Sequence, residues 1–428
     1  MGIGPGYSIA TAWIPGFISG MNCSRFLLSG LIAFTVGELR AATPEVTNIR
    51  ASQRAGTKLI DILYDLADSD SATVFVSVQL FDNTTSLPSF AVTGDVGAGV
   101  TPGANKQIVW NAGQDWNRRY TVKGVARIIA DDLSPTPPSA ALTYVPAGFG
   151  KPEGASNEVF TSGFFMDKTE VSQGQWSTVY NWAMANGYAF DNLGVATNST
   201  HPITGINWYD AVKWCNARSE MEGLNPVYFT DNTRSTVYRT GQVVLNNDFV
   251  AWTSNGYRLP TRAEWIKAYW GGNTSGFFPW PSYGGSADDH INGGMANYRQ
   301  SGDPFESSGN SYIATTPVGY YNGSQSPAGP DNKNGYGLYD MVGNAGEWCW
   351  DRTLSGWYSL VEAKDDNSKG PSTGVGTTRC FSGEESSNSS TAHSQSYVSA
   401  SDAYYNPSHA YTGSGWYTAV GLRTVRGL

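Results

Sequence analysis

The run NGYGLYDMVGNAGEWCWD, residues 334–351, concentrates side chains that could do chemistry. It carries the carboxylates of Asp340 and Glu347 among glycines and asparagines, and its apolar residues follow neither a helical nor a strand period. A long stretch without regular structure is unusual in a compact domain unless something beyond ordinary core burial fixes it. Two interpretations stay open at this point: the polar side chains only cap turns, as Asx residues readily do, or the run has a chemical role.

Two other groups of residues also bear on chemistry. Four cysteines are present, and once Cys23 is set aside as part of a targeting segment, the odd number of Cys215, Cys349 and Cys380 permits at most one intramolecular disulfide. Their spacing does not tell which two would pair. A Ser, His and acid triad can be drawn from the serine-rich C-terminal part, but serine is so abundant there that such a match carries little weight.

The composition predicts which kind of fold must position these residues. A chain of 428 residues that is 40% apolar and 13% aromatic can bury a sizeable core and predicts two folded units. Fifty glycines and only 15% charged residues favour a loop-rich or β-rich protein with few long helices. The net charge of -9 and the lack of a Lys/Arg cluster exclude nucleic acid as an expected partner, because affinity for phosphates comes largely from basic side chains.

The N-terminal region has the pattern of a targeting segment. From Met21 onward, a short stretch with Arg25 precedes the apolar residues 26–36, and small alanines at 41–42 offer a cleavage site. We therefore predict that residues 1–42 are a signal segment, with Met21 as a candidate start, and that the protein is secreted, periplasmic or on the cell surface. About a dozen apolar residues are too few to cross a bilayer, which takes roughly 20, so no transmembrane span is expected after signal removal.

Short segments rich in β-branched and aromatic residues follow the targeting segment, separated by turn residues. They predict a small antiparallel, Ig-like β-sandwich over residues 43–132, without a catalytic cluster, that acts as a spacer or docking module. The prolines of residues 133–146 disfavour helix and strand and predict a linker. The second unit is expected at 147–428. The strand segments are VTNIRASQR, LIDILYDLA, ATVFVSVQLF, KQIVWNAG and TVKGVARIIADD.

Helical periodicity occurs in three places of the second unit. KTEVSQGQWSTVYNWAMANG and NWYDAVKWCNARSEMEG place apolar residues at helical spacing, with Ser172 and either Asn207 or Asp210 near the N-termini and a glycine just past each end. A shorter helix is predicted in LPTRAEWIKAYWGG, where Thr261 and Glu264 match a capping box. Most of the remaining second unit is predicted to be ordered loop.

Five motifs in this unit together carry a family resemblance. FFMDKTEVSQGQW, PITGINWYDAVKWCNA, GYRLPTRAEW, NGYGLYDMVGNAGEWCWD and VGLRTVR, in this order, resemble the formylglycine-generating enzyme, or sulfatase-modifying factor, family. The ordered set is far more specific than any single motif. The resemblance implies an α+β, loop-rich, C-type-lectin-like fold with little regular secondary structure, which agrees with the composition.

The resemblance also implies a calcium site in the run 334–351. Calcium prefers about six to eight hard oxygen ligands, which alternating side chains and carbonyls of one loop can partly supply. Trp348 and Trp350 are interpreted as core residues and not as ligand contacts. The implied ligands are the side chains of Asp340 and Glu347 with the carbonyls of Gly343 and Ala345.

A second calcium site is implied less closely by the motif MANY and the distance to TTPVG. Asn310 stands where the family usually has an aspartate, so weaker binding is expected. The implied ligands are the side chains of Asn297 and Asn310 with the carbonyls of Tyr298 and Tyr312.

The resemblance breaks at the positions that do catalysis in the family. Family enzymes bind copper through two cysteines five positions apart, and soft thiolates suit Cu(I) in a way that amides and imidazoles do not replace. Counting from the same pattern places Asn388 and His393 at these positions, while Cys380 falls upstream in an expected buried strand. Copper binding and formylglycine-generating activity are therefore not expected.

Residues 382–419 have an unusual composition at the place where the family has its ligand groove. They contain no Lys or Arg and are rich in Ser, Tyr, Asn and Thr, as antibody binding loops are. The segment resembles the variable proteins of diversity-generating retroelements, in which adenine changes in asparagine codons give such residues. A fixed-specificity scaffold, a degenerate enzyme and a low-complexity surface stay open as alternatives. We predict a macromolecular ligand, namely a protein, for the residues Tyr397, Tyr404, Tyr405, Asn406, His409, Tyr411, Trp416 and Tyr417.

Overall fold

The structure is a computed structural model that describes most of the two predicted units. It separates into two compact units, Met1–Ser134 and Pro135–Leu428. The residues described are 7–15, 43–83, 85–87, 89, 91–132, 137–150, 159–272, 292–298, 303–305, 315–352, 367–371, 378–381, 408–410 and 419–428.

The first unit is built from antiparallel strands in two sheets. One sheet has the order β1-β9-β4-β5 with β7 paired to β4, and the other has the order β2-β3-β8-β6. The elements are β1 Tyr7–Pro15, β2 Glu45–Gln53, β3 Leu59–Ala67, β4 Val74–Asp82, β5 Thr85–Leu87, β6 Val92–Gly94, β7 Gly97–Val100, β8 Gly103–Asn111, the short helix α1 Ala112–Asp115, and β9 Lys123–Asp131.

Alternation along the strands produces the core of this unit. Ile62, Tyr64 and Leu66 of β3 are buried, as are Val76 and Leu80 of β4 in the other sheet, and all belong to one apolar cluster. Successive side chains of a strand point to opposite faces, so these spacings place one face of each sheet inward. The five segments that the sequence predicted as strands are confirmed as β2, β3, β4, β8 and β9.

Strand β1 differs from the sequence prediction. Residues 7–15 were assigned to the targeting segment 1–42, but here they pair antiparallel with β9 from Tyr7 opposite Asp131 to Pro15 opposite Lys123. The sequence YSIATAWIP has the β-branched and aromatic content of a strand, although it was assigned to the targeting segment. The predicted apolar stretch 26–36 lies outside the described residues.

The second unit has few helices and several short strands. Its sheets have the orders β10-β13-β18-β14, β16-β15-β17 and β11-β12. The elements are β10 Leu142–Val145, β11 Gly148–Gly150, β12 Val159–Thr161, β13 Phe164–Asp167, α2 Gln173–Ala185, α3 Trp208–Met221, a 3-10 turn Asn247–Phe249, β14 Tyr257–Arg258, α4 Arg262–Trp270, β15 Gly346–Arg352, β16 Thr378–Phe381, β17 Val420–Gly421 and β18 Val425–Arg426.

The predicted linker 133–146 ends earlier than expected. Strand β10 occupies its last part and pairs antiparallel with β13, from Leu142 opposite Asp167 to Val145 opposite Phe164. The run LTYV is apolar and β-branched, and it lies between prolines that bound it without interrupting it.

The three helices predicted in the second unit are confirmed, and each begins at a capping side chain. Ser172 and Gln175 form a capping box at α2, and Thr261 and Glu264 form another at α4. The Asn207 side chain accepts the backbone N–H of Asp210 at α3. Each side chain satisfies a backbone donor that the first turn of a helix leaves free.

Tryptophans fill the core of the second unit. The rings of Trp176 and Trp214 stack with centroids 5.6 Å apart, and Trp348 and Trp350 of β15 pack in the same cluster. The prediction that Trp348 and Trp350 are core residues is confirmed. Across the described ranges, no helix has the length and apolarity needed to cross a membrane.

Candidate functional site

The run 334–351 leads into β15 and is buried along most of its length. Four positive φ angles bend its backbone, at Gly337 (78°), Asp340 (55°), Gly343 (81°) and Asn344 (73°). β15 then lies between β16, which runs antiparallel to it, and β17, which runs parallel. The downstream end of the run is therefore held by strands that are distant in sequence.

Gly343 is required by a close backbone contact. A Cβ atom at this position would lie 1.9 Å from the carbonyl oxygen of Asn297, far inside contact distance. The neighbouring Asn344 N–H donates to that same carbonyl at 3.0 Å. Only glycine combines the positive φ with this approach of two chain segments.

Asn344 organises the turn through its side-chain amide. Its Oδ1 accepts the N–H of Thr316 at 2.8 Å, and its Nδ2 donates to Glu170 Oε2 at 3.3 Å. Glu170 also accepts the N–H of Ala345 through Oε1 at 3.2 Å. Part of what fixes the run is therefore a buried carboxylate located immediately before helix α2.

Glu170 was missed by sequence reasoning. It lies within the motif KTEVSQGQW, in which only Ser172 was assigned a local role, at the N-terminus of a helix. Glu170 follows the polar residues Lys168 and Thr169 between β13 and α2, so nothing in the local sequence signalled that this carboxyl group is buried.

Glu347 forms a buried ion pair with Arg423. Arg423 Nη2 lies 2.9 Å from Glu347 Oε1, and both side chains are almost fully inaccessible. Arg423 Nε also donates to Oε1 at 3.0 Å, and Trp265 Nε1 donates to Oε2 at 2.6 Å. The same guanidinium donates to the backbone carbonyls of Asp167 and Tyr339 at 3.1 and 2.9 Å, so it joins three parts of the unit.

Acidic charge exceeds basic charge around this pair. Burial, together with the charge of Asp340, raises the pKa of Glu170 well above its usual range, and burial also raises the pKa of Asp340. The carboxyl groups of Glu170 and Asp340 lie within hydrogen-bonding reach of each other. Burial lowers the pKa of Arg423, but the charges of Glu347, Glu170 and Asp340 together raise it above its usual value, so Arg423 stays a cation. Three carboxyl groups thus share one guanidinium.

This donor set fits a hard cation at Asp340 better than at Glu347. Asp340 Oδ2 accepts the N–H of Gly319 at 2.5 Å, while its buried Oδ1 accepts no N–H group, and the Glu170 carboxyl lies within hydrogen-bonding reach of the same side chain. The Glu347 oxygens already accept from Arg423 and Trp265, so few of their lone pairs are available to a metal. Within the described ranges, no three His, Cys, Asp or Glu side chains converge in a metal-binding arrangement. A cation here would depend on backbone carbonyls such as those of Gly343 and Ala345.

The second implied calcium set is only partly described. Asn297 is fully buried, and its Nδ2 lies 3.4 Å from Asn344 Oδ1, which links it to the first set. Tyr298 packs beside the apolar cluster around Trp265. Asn310 and Tyr312 lie outside the described residues.

The predicted ligand surface falls almost entirely outside the described residues. His409 is described and is exposed, and its neighbour Ser408 donates from Oγ to Gln242 Oε1 at 2.7 Å. The other predicted residues, Tyr397, Tyr404, Tyr405, Asn406, Tyr411, Trp416 and Tyr417, are outside the description, as are Asn388 and His393.

Two cysteines have described side chains, and neither forms a disulfide. Cys215 and Cys349 are free thiols with no accessible surface. Burial raises the pKa of the Cys215 thiol far above its usual value, which keeps it protonated. Cys380 lies in strand β16, opposite Trp348, in agreement with the predicted strand at that position.

The comparisons with known proteins agree with the motifs. Residues 137–428 match the sulfatase-modifying factor enzyme 1-like domain, and the chain belongs to this family. Over 220 residues it is 33% identical to the chaperone protein LppX of Paenibacillus barcinonensis, covering 50% of this chain and 69% of that protein. Over 240 residues it is 29% identical to the formylglycine-generating enzyme of Mus musculus, covering 52% of this chain and 57% of the mouse enzyme.

A solved structure gives a weaker likeness. Variable protein 1 of Treponema denticola superposes on this chain with a TM-score of 0.44 at 22% sequence identity, over 67% of this chain and 95% of that one. A likeness of this strength has no bearing on function.

Proposed function

We propose that this chain is an exported, non-catalytic ligand-binding protein that presents residues 382–419 as a binding surface on a C-type-lectin-like scaffold. The proposal rests on the resemblance, which places Asn388 and His393 at the positions of the family's copper-binding cysteines. Neither an amide nor an imidazole supplies the thiolate that Cu(I) chemistry of this family needs. The two cysteines with described side chains are buried thiols and cannot substitute for the pair.

The binding surface is proposed from the chemistry of the segment. Tyr and Trp offer broad amphipathic contact area at low entropic cost, and Ser and Asn add adaptable hydrogen bonds. The absence of Lys and Arg makes an anionic ligand a poor match and leaves a protein surface as the favoured ligand. One relative is named as a chaperone, which agrees with a protein ligand.

The first unit is proposed to be an Ig-like spacer or docking module. Its described polar contacts are mostly at the surface, for example the Arg54–Asp61 pair, and its interior is an apolar cluster. Such a module needs no chemistry of its own.

Calcium is proposed as a structural ion of the second unit. Asp340 would provide the carboxylate, with the carbonyls of Gly343 and Ala345 as further oxygens, and Glu170 and Asn344 would hold those backbone groups in place. When bound, the ion would offset part of the excess acidic charge and fix the backbone of the loop.

Restoring the cysteines tests the non-catalytic proposal most sharply. The wild-type chain, incubated with copper and a cysteine-containing sulfatase-type peptide, should form no aldehyde by mass spectrometry. The variant with Asn388→Cys and His393→Cys together should gain Cu(I) binding, and each single variant serves as its control. Copper-dependent turnover by the wild-type chain would refute the proposal.

The alternative function is an oxidase or another enzyme of the family. Family membership and the similarity to the mouse formylglycine-generating enzyme favour it. It requires a nucleophile or redox ligand in the C-terminal segment, so an active-site serine probe and the copper assay together distinguish the two functions. Programmed variation is tested separately: a nearby reverse transcriptase gene with a copy of the 382–419 codons that differs at adenines would support it.

A further inference from the structure

An exposed basic loop joins α1 to β9 in the first unit. We define it as residues 117–123, NRRYTVK, which hold three cations and no acidic residue. Tyr120 keeps 76% of its accessible surface and Val122 keeps 58%, so apolar side chains are exposed among the charges. The chain as a whole has a net charge of -9, so the basic loop has the opposite sign to the protein that carries it. Its cations are Arg118, Arg119 and Lys123.

The cations of the basic loop are exposed and have no acidic partner. None of Arg118, Arg119 and Lys123 forms an ion pair with a described residue. A fourth exposed cation lies beside them, because Lys58 Nζ donates to the side-chain oxygen of Asn117. Four positive charges are therefore free to meet a negatively charged partner.

Two carboxylates near the basic loop are already used by the protein. Asp82 accepts the hydroxyl of Thr121. Asp115 accepts the indole N–H of Trp110 at 3.0 Å and the N–H of Ala91 at 2.8 Å. Both acids are partly buried, so four exposed cations outnumber them and the surface of the loop stays positive.

The protein holds the basic loop at both ends. Trp116, directly before it, packs against the apolar cluster of the unit. At the other end, the Thr121 hydroxyl contacts Asp82, and the Asn83 N–H donates to the carbonyl of Lys123 at 2.8 Å. A loop that is fixed before binding loses little conformational freedom when it binds, which favours association.

Arg118 adopts a backbone conformation that suits glycine better. Its φ is 60°, in the left-handed region that most side chains disfavour. Strained backbone positions of this kind concentrate at functional sites. A guanidinium at such a position, exposed and unpaired among the described residues, indicates a role at the surface.

We propose that the basic loop docks the first unit on an anionic phospholipid surface. The cations contact the lipid phosphates, and Tyr120 and Val122 enter the interfacial layer. Tyrosine suits this depth because its ring is apolar and its hydroxyl is polar. Each Lys or Arg near an anionic leaflet strengthens binding about fivefold. The proposal deepens the docking role proposed for the first unit and does not depend on ligand binding by residues 382–419.

The small size of the loop favours a lipid surface over a macromolecule. A specific protein interface takes about 20–30 residues on each side, and a loop of seven residues falls well short of that. Strong nucleic-acid binding commonly neutralises about 6–10 phosphates, more than four cations can reach. A lipid surface needs no complementary shape, and its charged headgroups and apolar interior match both kinds of exposed side chain.

Flotation of the full chain with lipid vesicles tests the proposal. The chain should bind vesicles of phosphatidylcholine mixed with phosphatidylglycerol, and it should not bind vesicles of phosphatidylcholine alone. High salt should release it, because salt screens exposed charges. Failure to bind the mixed vesicles would overturn the proposal, and so would equal binding to both kinds of vesicle.

Paired variants show whether this loop is the surface that binds. Arg118→Gln with Arg119→Gln should weaken binding to the mixed vesicles roughly 25-fold, from two cations at about fivefold each. Arg50→Gln with Lys106→Gln is the matched control, since it removes the same charge from other strands of the first unit and should leave binding nearly unchanged. Thermal melting checks that each variant is folded. Equal losses in the two variants would mean that net charge alone attracts the chain, and would refute the assignment to the loop.

A variant without a charge change separates a lipid surface from an acidic macromolecule. Tyr120→Ser with Val122→Ser removes the apolar side chains and should weaken binding to the mixed vesicles several-fold. Polyglutamate serves as the acidic polymer, and the wild-type chain should bind it less tightly than the mixed vesicles. Equal binding of polyglutamate, together with no effect of the serine variant on vesicle binding, would identify an acidic macromolecule as the partner and overturn the proposal.

Discussion

Among the described residues, ion pairs with both partners buried occur in the second unit and not in the first. In the first unit, Arg54 and Asp61 form an ion pair at 2.7 Å whose side chains keep 44 and 17% of their accessible surface. In the second unit, Arg423 and Glu347 form a pair at 2.9 Å that keeps 0 and 1%. Arg218 with Asp167, and Arg258 with Glu264, are further pairs of the buried kind.

This difference shows how each unit is specified. Strands with alternating apolar residues build the first unit, and its ion pairs are additions at the surface. In the second unit, the run 334–351 has no apolar periodicity that could determine its position. Buried hydrogen-bond donors and acceptors determine it instead. A buried ion pair need not stabilise relative to apolar residues, but it penalises every arrangement in which one charge lacks its partner.

The largest effect is expected from breaking the Arg423 pair. Arg423→Leu leaves the Glu347 carboxylate buried without its cation and removes two hydrogen bonds to backbone carbonyls. Removing one partner of a buried pair costs about 3–5 kcal/mol, so denaturant unfolding should show a loss of this size. Replacing both partners, Arg423→Leu with Glu347→Gln, should recover part of it. A single variant as stable as the wild type would contradict the role assigned to the pair.

Calcium removal is expected to have the next largest effect. A ligand that binds only the folded state stabilises it by about 2.7 kcal/mol when its free concentration is 100-fold above Kd. EDTA should therefore lower the Tm of the wild-type chain, and Asp340→Ala should abolish this shift. Asp248→Ala, at an exposed acid in the 3-10 turn Asn247–Phe249, is the control that should keep it. An unchanged melting curve in EDTA would mean that the Glu170, Asn344 and Arg423 contacts alone fix the loop.

The comparison between the units also explains what the sequence could predict. The strands β2, β3, β4, β8 and β9 and the three capped helices follow from local periodicity and local caps, and they were predicted. The contacts of the run 334–351 with Glu170, Asn297 and Arg423 could not be predicted, because long stretches of sequence separate these residues from the run. Nothing in a single sequence pairs an arginine at position 423 with a glutamate at 347.

Strand β1 was missed for a related reason. Its partner β9 is more than a hundred residues away, and its own sequence is uncharged and lies within the predicted targeting segment 1–42. Strand pairing is a non-local property, so a short apolar stretch has no unique assignment from its sequence alone.

A moderate effect is expected at the N-terminus of helix α4. The Thr261 hydroxyl accepts the Glu264 N–H, and the Glu264 carboxylate accepts the Thr261 N–H at 2.8 Å. Thr261→Ala removes half of this box and should cost about 1 kcal/mol in denaturant unfolding. Thr178→Ala, at an exposed position within α2, is the matched control and should be neutral or slightly stabilising, since alanine is the better helix former. Equal effects would show that the cap has no special contribution.

The smallest effect is expected at the exposed Arg54–Asp61 pair of the first unit. The hydrogen bond from Arg54 lowers the pKa of Asp61, against a smaller opposing effect of burial. A carboxyl whose pKa is lowered in the folded state stabilises the fold above its unfolded pKa, and that contribution is lost as the pH falls through the folded value. Arg54→Ala should therefore raise the pKa of Asp61 without a measurable change in stability at neutral pH, because solvent and salt screen exposed pairs.

Gln107 still donates to Asp61 Oδ1 at 2.9 Å, so the pKa of Asp61 should stay somewhat below its usual range in Arg54→Ala. Carboxyl NMR of selectively labelled aspartate measures this shift. A large loss of stability in Arg54→Ala would mean that surface charge specifies the first unit as strongly as buried charge specifies the second.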